Sequence, residues 1–336
     1  MNEKVNNINN NLVLEVDGLS TQFIYKNRIA KAVRDVSFKL EKGKTLAVVG
    51  ESGSGKSVTA LSIMGLLSFP GEVTAGKILY RHSNGNILDL SAIDEKTHRK
   101  VRGAEISMIF QDPLVSLNPL KTIGEQLIKT IKTHFNISKA EALDRSKKLL
   151  SDVGIDPERI EAYPHTFSGG MRQRVVIALA LAPEPSVIIA DEPTTALDVS
   201  VQAQILNLLK QLCTERGTSI ILITHDMGVI SETTDRVAVL YSGRLVEIGK
   251  TSDVLQRPQH PYTAGLVAST PNIDPSSFDK KLFQIPGAMP DIDDVPDGCA
   301  FHPRCEHARD KCQKHKPALF DARVSCWLSE KPGGTL

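Results

Sequence analysis

Residues 45–57 read Thr-Leu-Ala-Val-Val-Gly-Glu-Ser-Gly-Ser-Gly-Lys-Ser, a short apolar run followed by a glycine-rich loop. The apolar run predicts a strand that is buried on both faces, and residues 58–64 can begin a helix with an apolar face. Strand, glycine-rich loop and helix in this order are the context that the P-loop pattern Gly-x-x-x-x-Gly-Lys-Ser requires. The sequence therefore predicts a nucleoside triphosphate site.

The predicted P-loop supplies both backbone and side-chain groups to the phosphates. Its N–H groups point inward at phosphate oxygens, and the helix N-terminus adds partial positive charge at the same place. We expect Lys56 to reach the β- and γ-phosphates and the Ser57 hydroxyl to ligate Mg²⁺. The residues predicted to contact nucleotide in this segment are Gly50, Ser52, Gly53, Ser54, Gly55, Lys56, Ser57 and Val58.

Polar side chains also follow three other predicted strands. Gln111 follows residues 106–110, Asp191 and Glu192 end the apolar run 187–190, and His225 follows residues 220–224. Ligand sites in open α/β sheets lie at the carboxyl ends of strands. We expect Asp191 to hold Mg²⁺, Glu192 to align the attacking water and His225 to sense the γ-phosphate, although paired acids can also cap a helix.

Two further segments give weaker signals. Ser168, Gly169 and Gly170 precede a predicted helix, which makes a second anion site at its N-terminus. Residues 121–163 look helical, with a capping box at Ser138 that starts a second helix, and this block is a candidate subdomain with its own partner surface. Near the N-terminus, Phe23 or Tyr25 could stack on a purine base or could be ordinary loop or core aromatics.

The composition indicates an ordinary folded protein. The chain has 336 residues, 41% hydrophobic content and a net charge of +1, so a polyanion-binding surface is not indicated. No apolar run approaches the ~20 residues that a membrane helix needs. Residues 1–11 are polar and Asn-rich, without the apolar stretch of a signal peptide, and are interpreted as a disordered lead-in of a cytosolic protein.

Four of the five cysteines lie near the C-terminus, and Cys213 is interpreted as a small core residue. Clustered cysteines in a cytosolic chain favour metal binding over disulfides. Their intervals are wider than the paired spacings of zinc ribbons, and all-thiolate ligation also suits a [4Fe–4S] cluster. Zinc and free structural thiols remain alternatives, and we expect the P-loop to be distant from this segment. The candidate ligands are Cys299, Cys305, Cys312 and Cys326.

Together these motifs resemble the ATP-binding subunit of ABC transporters over residues 12 to about 330. Residues 167–171 correspond to the signature, which departs from the commonest Leu-Ser-Gly-Gly-Gln at its first and last positions. The D-loop, residues 195–198, has Thr in place of Ser. Residues 192–199 and 257–263 are similar to the dipeptide/oligopeptide importer ATPases, with nickel importers as close relatives.

The resemblance implies an α/β fold, namely a P-loop NTPase ABC cassette. Its parts would be a RecA-like parallel-sheet core, an antiparallel β subdomain and an inserted helical subdomain, followed by a small cysteine-rich C-terminal extension. The implied boundaries are a lead-in at 1–11, the ATP-binding domain at 12–255 with the helical subdomain at about 113–165, and the extension at 256–336.

The resemblance also implies how MgATP is held. Two ATPase subunits would face head to tail, so that Ser168, Gly169 and Gly170 contact the γ-phosphate bound by the partner. Phe23 would stack on adenine, with Tyr25 as the alternative. Within the chain's own site, the implied Mg²⁺ ligands are Ser57, Gln111 and Asp191. The other residues implied to serve this nucleotide are Lys56, Glu192 and His225, and Asp198 from the D-loop is a further nucleotide contact. The C-terminal cysteines would hold a [4Fe–4S] cluster.

The implied function is ATP hydrolysis that powers uptake of di- or oligopeptides across the cytoplasmic membrane. The implied partners are a second, non-identical ATPase, two transmembrane permease subunits and an extracytoplasmic solute-binding protein, without nucleic acid. The chain would lie peripherally on the cytoplasmic face. Uptake of nickel or another small solute is the alternative. Non-transport ABC ATPases are disfavoured, because repair types insert long coiled coils between P-loop and signature and ribosome-acting types carry two cassettes.

Overall fold

The computed structural model describes residues 11–195, 197–270 and 283–330. Most of the predicted lead-in, residues 1–10, lies outside the described residues. Asn11 is described, and its carbonyl oxygen accepts a hydrogen bond from the N–H of Lys42 at 2.9 Å. Residues 271–282 and 331–336 of the predicted extension also lie outside the described part.

The described residues form two β-sheets. Their strands are β1 (Leu12–Tyr25), β2 (Arg28–Glu41), β3 (Thr45–Val49), β4 (Gly71–Arg81), β5 (Ile87–Asp89), β6 (Ile106–Ile109), β7 (Val187–Asp191), β8 (Ser219–Thr224), β9 (Arg236–Tyr241) and β10 (Arg244–Lys250).

The larger sheet has the strand order β10-β9-β3-β8-β7-β6. Strands β6, β7, β8, β3 and β9 run parallel, and β10 pairs antiparallel with β9 as the predicted closing hairpin. The P-loop strand β3 lies between β8 and β9 and is buried along its whole length. This confirms the prediction from its continuous apolar run, because a strand covered on both faces has no polar side to show.

The smaller sheet is antiparallel, with the order β2-β1-β4-β5. Strand β1 alternates between buried and exposed side chains over part of its length, as its sequence predicts. The predicted hairpin around residues 83–85 joins β4 to β5. Side chains from both sheets and from the helix after the P-loop share one hydrophobic core, which fixes the P-loop between the two sheets.

The described residues also form α-helices. They are α1 (Lys56–Met64), α2 (Glu95–Val101), α3 (Pro113–Ser116), α4 (Ile123–His134), α5 (Lys139–Asp152), α6 (Gly169–Leu181), α7 (Val199–Arg216), α8 (Met227–Thr233), α9 (Thr251–Gln256), α10 (Pro261–Ala268) and α11 (Asp310–Lys314). Short 3₁₀ turns occur at Pro157–Glu161, Pro164–Thr166, His302–Arg304 and Trp327–Ser329.

The predicted helical block consists of α4 and α5 joined by a tight connection. Both helices begin with a capping box, at Thr122 and at the predicted Ser138. The prediction of helix throughout residues 121–163 is too broad, because α5 ends at Asp152 and Gly154 adopts a φ of +72°. That left-handed conformation suits glycine and stops the helix, so that a 3₁₀ turn follows.

We expect Ser138→Ala to lower the free energy of unfolding by about 1 kcal/mol. The Ser138 hydroxyl accepts a hydrogen bond from the Glu141 N–H at 3.1 Å, and alanine leaves that donor without a partner in the protein. Urea titration of both proteins measures the difference. Ser151→Ala, at an exposed position of the same helix, is the control and should change stability by less than about 0.5 kcal/mol. Equal effects of the two substitutions would contradict a capping role.

A third hydrophobic core joins the parallel sheet to the C-terminal residues. It contains the buried rings of Tyr241 at the end of β9, Tyr262 on α10 and Phe301. The ring centroids of Tyr241 and Tyr262 are 4.7 Å apart, and those of Tyr241 and Phe301 are 5.2 Å apart. These contacts place the chain that follows residue 283 beside the P-loop end of the sheet.

Candidate nucleotide-binding site

A cavity of about 820 Å³ opens at the carboxyl ends of β3, β6, β7 and β8. This is the place at which ligands bind in open α/β sheets. Most of the residues predicted for the nucleotide line it, namely Phe23, Ser52, Gly53, Gly55, Lys56, Ser57, Val58, Gln111, Glu192 and His225. The cavity is therefore the candidate site for a nucleoside triphosphate.

The P-loop wraps around the ammonium group of Lys56. This group donates hydrogen bonds to the carbonyl oxygens of Gly50 at 2.8 Å and Glu51 at 3.0 Å. Gly50 must be glycine, because a Cβ there would lie 2.2 Å from the carbonyl oxygen of Leu240. Burial lowers the pKa of Lys56, whereas the nearby carboxylates oppose that shift. The loop thus holds a lysine at the start of α1, where phosphate oxygens are expected.

Asp191 and Ser57 meet where Mg²⁺ is predicted. The Ser57 hydroxyl donates a hydrogen bond to the Asp191 carboxylate at 3.0 Å. Asp191 is buried at the end of β7, and burial raises the pKa of its carboxyl group, although the Ser57 hydrogen bond opposes this. A hydroxyl and a carboxylate side by side are hard oxygen donors, so the pair fits the ligand preference of Mg²⁺.

Glu192 has an unusual backbone conformation, and its carboxylate contacts three other side chains. Its φ of +45° is left-handed and costs about 1–3 kcal/mol in a residue other than glycine. Its carboxylate accepts hydrogen bonds of 3.0 Å from the Gln111 amide and the Thr195 hydroxyl. Nδ1 of His225 lies 3.2 Å from its other oxygen. These neighbours fix a single acid at the cavity wall, as a water-aligning group requires.

Ser54 and Gly50 belong to the P-loop but do not line the cavity. The Ser54 side chain is completely buried, and its carbonyl oxygen accepts a hydrogen bond from the N–H of Gly243 at 2.9 Å. The sequence predicts that both residues contact the nucleotide directly, yet neither is among the residues that line the cavity.

The signature residues lie away from this cavity in the described chain. Ser168 caps α6 by accepting a hydrogen bond from the Met171 N–H at 3.3 Å, and Gly169 and Gly170 form the first turn of that helix. A Cβ on Gly170 would approach the Val201 side chain to 2.8 Å, so α6 begins against α7. Asp198 caps α7 through the Val201 N–H at 3.0 Å.

The two candidate aromatics are in different places. Phe23 lines the cavity, and a Cβ on Gly71 would lie only 2.7 Å from its ring. Tyr25 is 43% exposed, and the guanidinium of Arg28 lies 4.9 Å from its ring centroid. Of the two aromatic residues, Phe23 is the one that lines the cavity.

The four C-terminal cysteines are unpaired and close to one another. Burial and then the neighbouring thiols of Cys326, Cys312 and Cys305 raise the pKa of Cys299 to about 11. The carbonyl oxygen of Cys312 accepts a hydrogen bond from the Cys299 N–H at 2.8 Å. Among the described residues, however, no three or more His, Cys, Asp or Glu side chains are grouped so that they could hold a metal ion.

The expectation that the P-loop is distant from this segment is wrong. Arg304, the residue before Cys305, forms a two-pronged ion pair with Glu51 of the P-loop at 2.7 and 3.0 Å. The segment is close to the loop because Phe301 packs between Tyr241 and Tyr262 at the P-loop end of the sheet.

Several residues in or next to the cavity walls are not predicted by the sequence. Thr195 donates to Glu192, and the Tyr262 hydroxyl accepts a hydrogen bond from the Glu51 N–H at 2.8 Å. Thr195 opens the D-loop and Tyr262 lies within residues 257–263, but neither pattern predicts the contact with Glu192 or Glu51. The cavity walls contributed by the C-terminal residues were also unexpected, and they are Leu266, Ser269, Phe283, Gln284, Ile285 and Ile292.

Two family models match the chain. The ABC transporter model matches residues 33–195, and the model of the oligopeptide/dipeptide transporter C-terminal region matches residues 246–312. The oligopeptide transport ATP-binding protein AppD of Bacillus subtilis (strain 168) is 49% identical over 96% of this chain and 98% of its own. The chain belongs to the oligopeptide/dipeptide family of ABC transporter ATP-binding proteins.

Another relative and two solved ABC cassettes are also similar to the chain. The dipeptide transport ATP-binding protein DppD of Escherichia coli (strain K12) is 44% identical over 91% of this chain and 92% of its own. The dimeric ATP-binding cassette MJ0796, solved in a post-hydrolysis state with ADP and Pi, matches with a TM-score of 0.62 and 28% identity. That match covers 71% of this chain and 98% of MJ0796.

The predicted ABC cassette fold is thereby confirmed. CbiO1 from Clostridium perfringens, part of an ABC transporter complex, gives a TM-score of 0.63 at 28% identity over 74% of this chain and 92% of its own. Within the three described ranges, every helix is too short or too polar to cross a bilayer.

Proposed function

We propose that this ABC ATPase hydrolyses MgATP to power the uptake of di- or oligopeptides. The observation that carries the proposal is the similarity over nearly the whole chain to ATP-binding proteins named for oligopeptide and dipeptide transport. The match to the transporter C-terminal region supports the peptide assignment further, because it lies outside the nucleotide-binding motifs. Two permease subunits and a solute-binding protein complete the proposed importer, with the chain lying on the cytoplasmic face of the membrane.

In the proposed reaction, the P-loop and Lys56 bind the phosphates, and Phe23 stacks on the adenine. Ser57 and Asp191, with the amide oxygen of Gln111, would hold Mg²⁺, which neutralises phosphate charge when bound. Glu192 aligns the attacking water and accepts its proton. The hydrogen bonds from Gln111 and Thr195 keep the carboxylate in place before the phosphate arrives.

We further propose that two ATPase subunits close head to tail around the nucleotide. The position of Ser168, Gly169 and Gly170 supports this, because these residues lie outside the chain's own cavity and the N-terminus of a helix can bind an anion. The partner ATPase is proposed to be a different chain. Asp198 is the last residue of the D-loop and would lie at the same subunit interface, although here its carboxylate caps α7.

The proposed division of the chain keeps the boundaries 12–255 for the ATP-binding domain and 256–336 for the extension. The helical block at about 113–165 is the proposed docking surface for the permeases. Its first residues support this role, because Leu114, Val115 and Leu120 are 60%, 83% and 85% exposed. Exposed apolar side chains close together on a surface are typical of protein contacts.

Peptide uptake by cells tests the proposed substrate. Cells that lack this chain are expected to lose ATP-dependent uptake of labelled di- and tetrapeptides, and the wild-type chain should restore it. Identification of the solute that co-purifies with the assembled transporter provides an independent measurement. Lost nickel uptake with normal peptide uptake would establish the alternative solute instead.

We also propose that Cys299, Cys305, Cys312 and Cys326 hold a [4Fe–4S] cluster. Burial, and then the neighbouring thiols, raise the pKa of Cys299, Cys305 and Cys326, which supports a shared site. Four thiolates are the ligand set of a cubane. Zinc held by the same four thiols is the alternative, and among the described residues no group of three or more metal ligands favours one over the other. The cluster, when bound, would tie the loops between the cysteines together.

Metal content distinguishes a bound iron–sulfur cluster from bound zinc. Protein purified without oxygen is expected to be brown, to absorb broadly near ~400 nm and to contain about four irons per chain. Cys305→Ser should remove most of the iron and make the C-terminal residues sensitive to protease. Cys213→Ala changes a buried cysteine outside this cluster and should leave the iron content unchanged. Colourless protein with one zinc per chain would contradict the cluster.

A further inference from the structure

The C-terminal segment contacts the P-loop through one buried arginine. The guanidinium of Arg304 donates to the two carboxylate oxygens of Glu51 at 2.7 and 3.0 Å. The side chain of Arg304 is 5% exposed and that of Glu51 is 32% exposed. For comparison, the ion pair between Arg323 and Asp253 on the same segment is 3.3 Å long, and its side chains are 46% and 51% exposed. The pair with Glu51 is therefore shielded from solvent, unlike an ordinary surface pair.

The remaining donors of Arg304 hold it in one orientation. Its Nε donates to the carbonyl oxygen of Pro286 at 2.8 Å, and Nη1 also lies 3.4 Å from the Tyr241 hydroxyl. The guanidinium is 5.8 Å from the ring centroids of both Tyr241 and Phe301. Because these contacts orient the guanidinium, Nη1 and Nη2 can each donate to one carboxylate oxygen of Glu51. Arginine can make this two-pronged contact and lysine cannot.

Glu51 is placed where a free carboxylate would oppose phosphate binding. It lies within the loop that wraps around Lys56, and it is one of the carboxylates that influence the pKa of that lysine. Its backbone carbonyl oxygen also accepts a hydrogen bond from the Lys56 ammonium at 3.0 Å. An unpaired negative charge at this point would repel the phosphates and compete for the lysine.

We propose that Arg304 is a positioning residue for nucleotide binding, which neutralises Glu51 and fixes the backbone of the P-loop around Lys56. The proposal rests on the nucleotide site described above. It assigns the C-terminal segment a part in nucleotide affinity, in addition to any ligand that its cysteines hold. The Tyr262 hydroxyl supports the same backbone by accepting the Glu51 N–H.

A double-mutant cycle tests this role through charge. Arg304→Gln leaves the Glu51 carboxylate without its partner, so the dissociation constant for MgADP should rise about tenfold. Adding Glu51→Gln removes the uncompensated charge, and the double variant should return to within about threefold of wild type. Arg304→Lys keeps the positive charge but not the two-pronged contact, so its affinity for MgADP should fall by about threefold, less than in Arg304→Gln. Titration calorimetry of the purified full-length chain measures wild type, Arg304→Gln, Glu51→Gln, the double variant and Arg304→Lys.

Enzyme kinetics in the assembled transporter separate positioning from chemistry. Arg304→Gln should raise KM for ATP about tenfold and change kcat by less than about threefold, because the groups around Glu192 are untouched. Arg323→Gln, which breaks only the exposed pair on the same segment, is the matched control and should leave both constants unchanged. Binding of MgADP by the wild-type chain tests the nucleotide site itself, whereas the differences among variants test Arg304.

Additive losses would overturn the proposal. If the double variant binds MgADP as weakly as Arg304→Gln or more weakly, the arginine acts only by packing the C-terminal segment. Unchanged affinity in Arg304→Gln would overturn it as well. If Arg304→Gln does not fold, Glu51→Gln and Arg304→Lys decide the question, since both should bind MgADP within about threefold of wild type. A tenfold loss in either of these would contradict neutralisation by charge.

Discussion

Replacing Glu192 with glutamine is expected to lower ATP turnover in the assembled transporter by about 10²- to 10⁴-fold while nucleotide still binds. Glutamine keeps the shape of the side chain, and its amide oxygen can still accept hydrogen bonds from Gln111 or Thr195. It cannot accept a proton from the attacking water. ATP should therefore remain bound and unhydrolysed, and the two ATPase subunits should stay closed around it.

The rate of phosphate release measures turnover, and it should fall by about 10²- to 10⁴-fold. The amount of ATP recovered with the washed complex measures nucleotide retention, and it should increase. Glu95→Gln is a suitable control, because Glu95 is 70% exposed on α2 and is not among the residues that line the cavity. Near-normal turnover in Glu192→Gln would contradict the role assigned to this carboxylate.

The parts of the site that lie within one strand–loop–helix unit were predictable from the sequence. The apolar run of β3 and the glycine pattern after it place Gly50, Lys56 and Ser57 with no need of distant contacts. The same holds for Gln111, Asp191 and His225, because a buried parallel strand presents its last residues at one edge of the sheet. The order of the strands across the sheet does not affect that conclusion.

Contacts between segments far apart in sequence could not be predicted in this way. Arg304 and Glu51 are 253 residues apart, and neither belongs to a pattern that names its partner. Their meeting depends on the packing of three aromatic rings, Tyr241, Tyr262 and Phe301, whose spacing in sequence carries no period. The left-handed backbone of Glu192 is likewise invisible in the sequence, since most residues at such a φ are glycine.

The cavity consequently has two kinds of wall. Motif residues at the strand ends form one side, which is the proposed phosphate side, and Phe283, Ile285 and Ile292 from the C-terminal part form another side. The ion pair between Arg28 and Asp293, at 2.8 Å, joins the β1–β2 hairpin to this second wall. Substitutions in the C-terminal part can therefore alter the shape of the cavity without any change in the motifs.

Lys56→Ala should have the other large effect, a loss of MgATP affinity of about 100-fold, which corresponds to about 3 kcal/mol. The substitution removes a cation that is 4% exposed, and its hydrogen bonds to the carbonyl oxygens of Gly50 and Glu51. Those carbonyls would then turn toward the phosphates without a counter-charge, while Glu192 and Asp191 remain nearby.

Nucleotide titration of the full-length chain and peptide uptake in cells together measure the consequence of Lys56→Ala. Lys39→Ala is the matched control, because Lys39 is 57% exposed, pairs with Glu15 at 2.8 Å on the antiparallel sheet and is not among the residues that line the nucleotide cavity. Its affinity for MgATP should equal that of wild type. If Lys56→Ala supports normal peptide uptake, this chain's own site is dispensable and the site of the partner ATPase performs the hydrolysis. Weak binding with lost uptake would instead assign the hydrolysis that drives uptake to the P-loop of this chain.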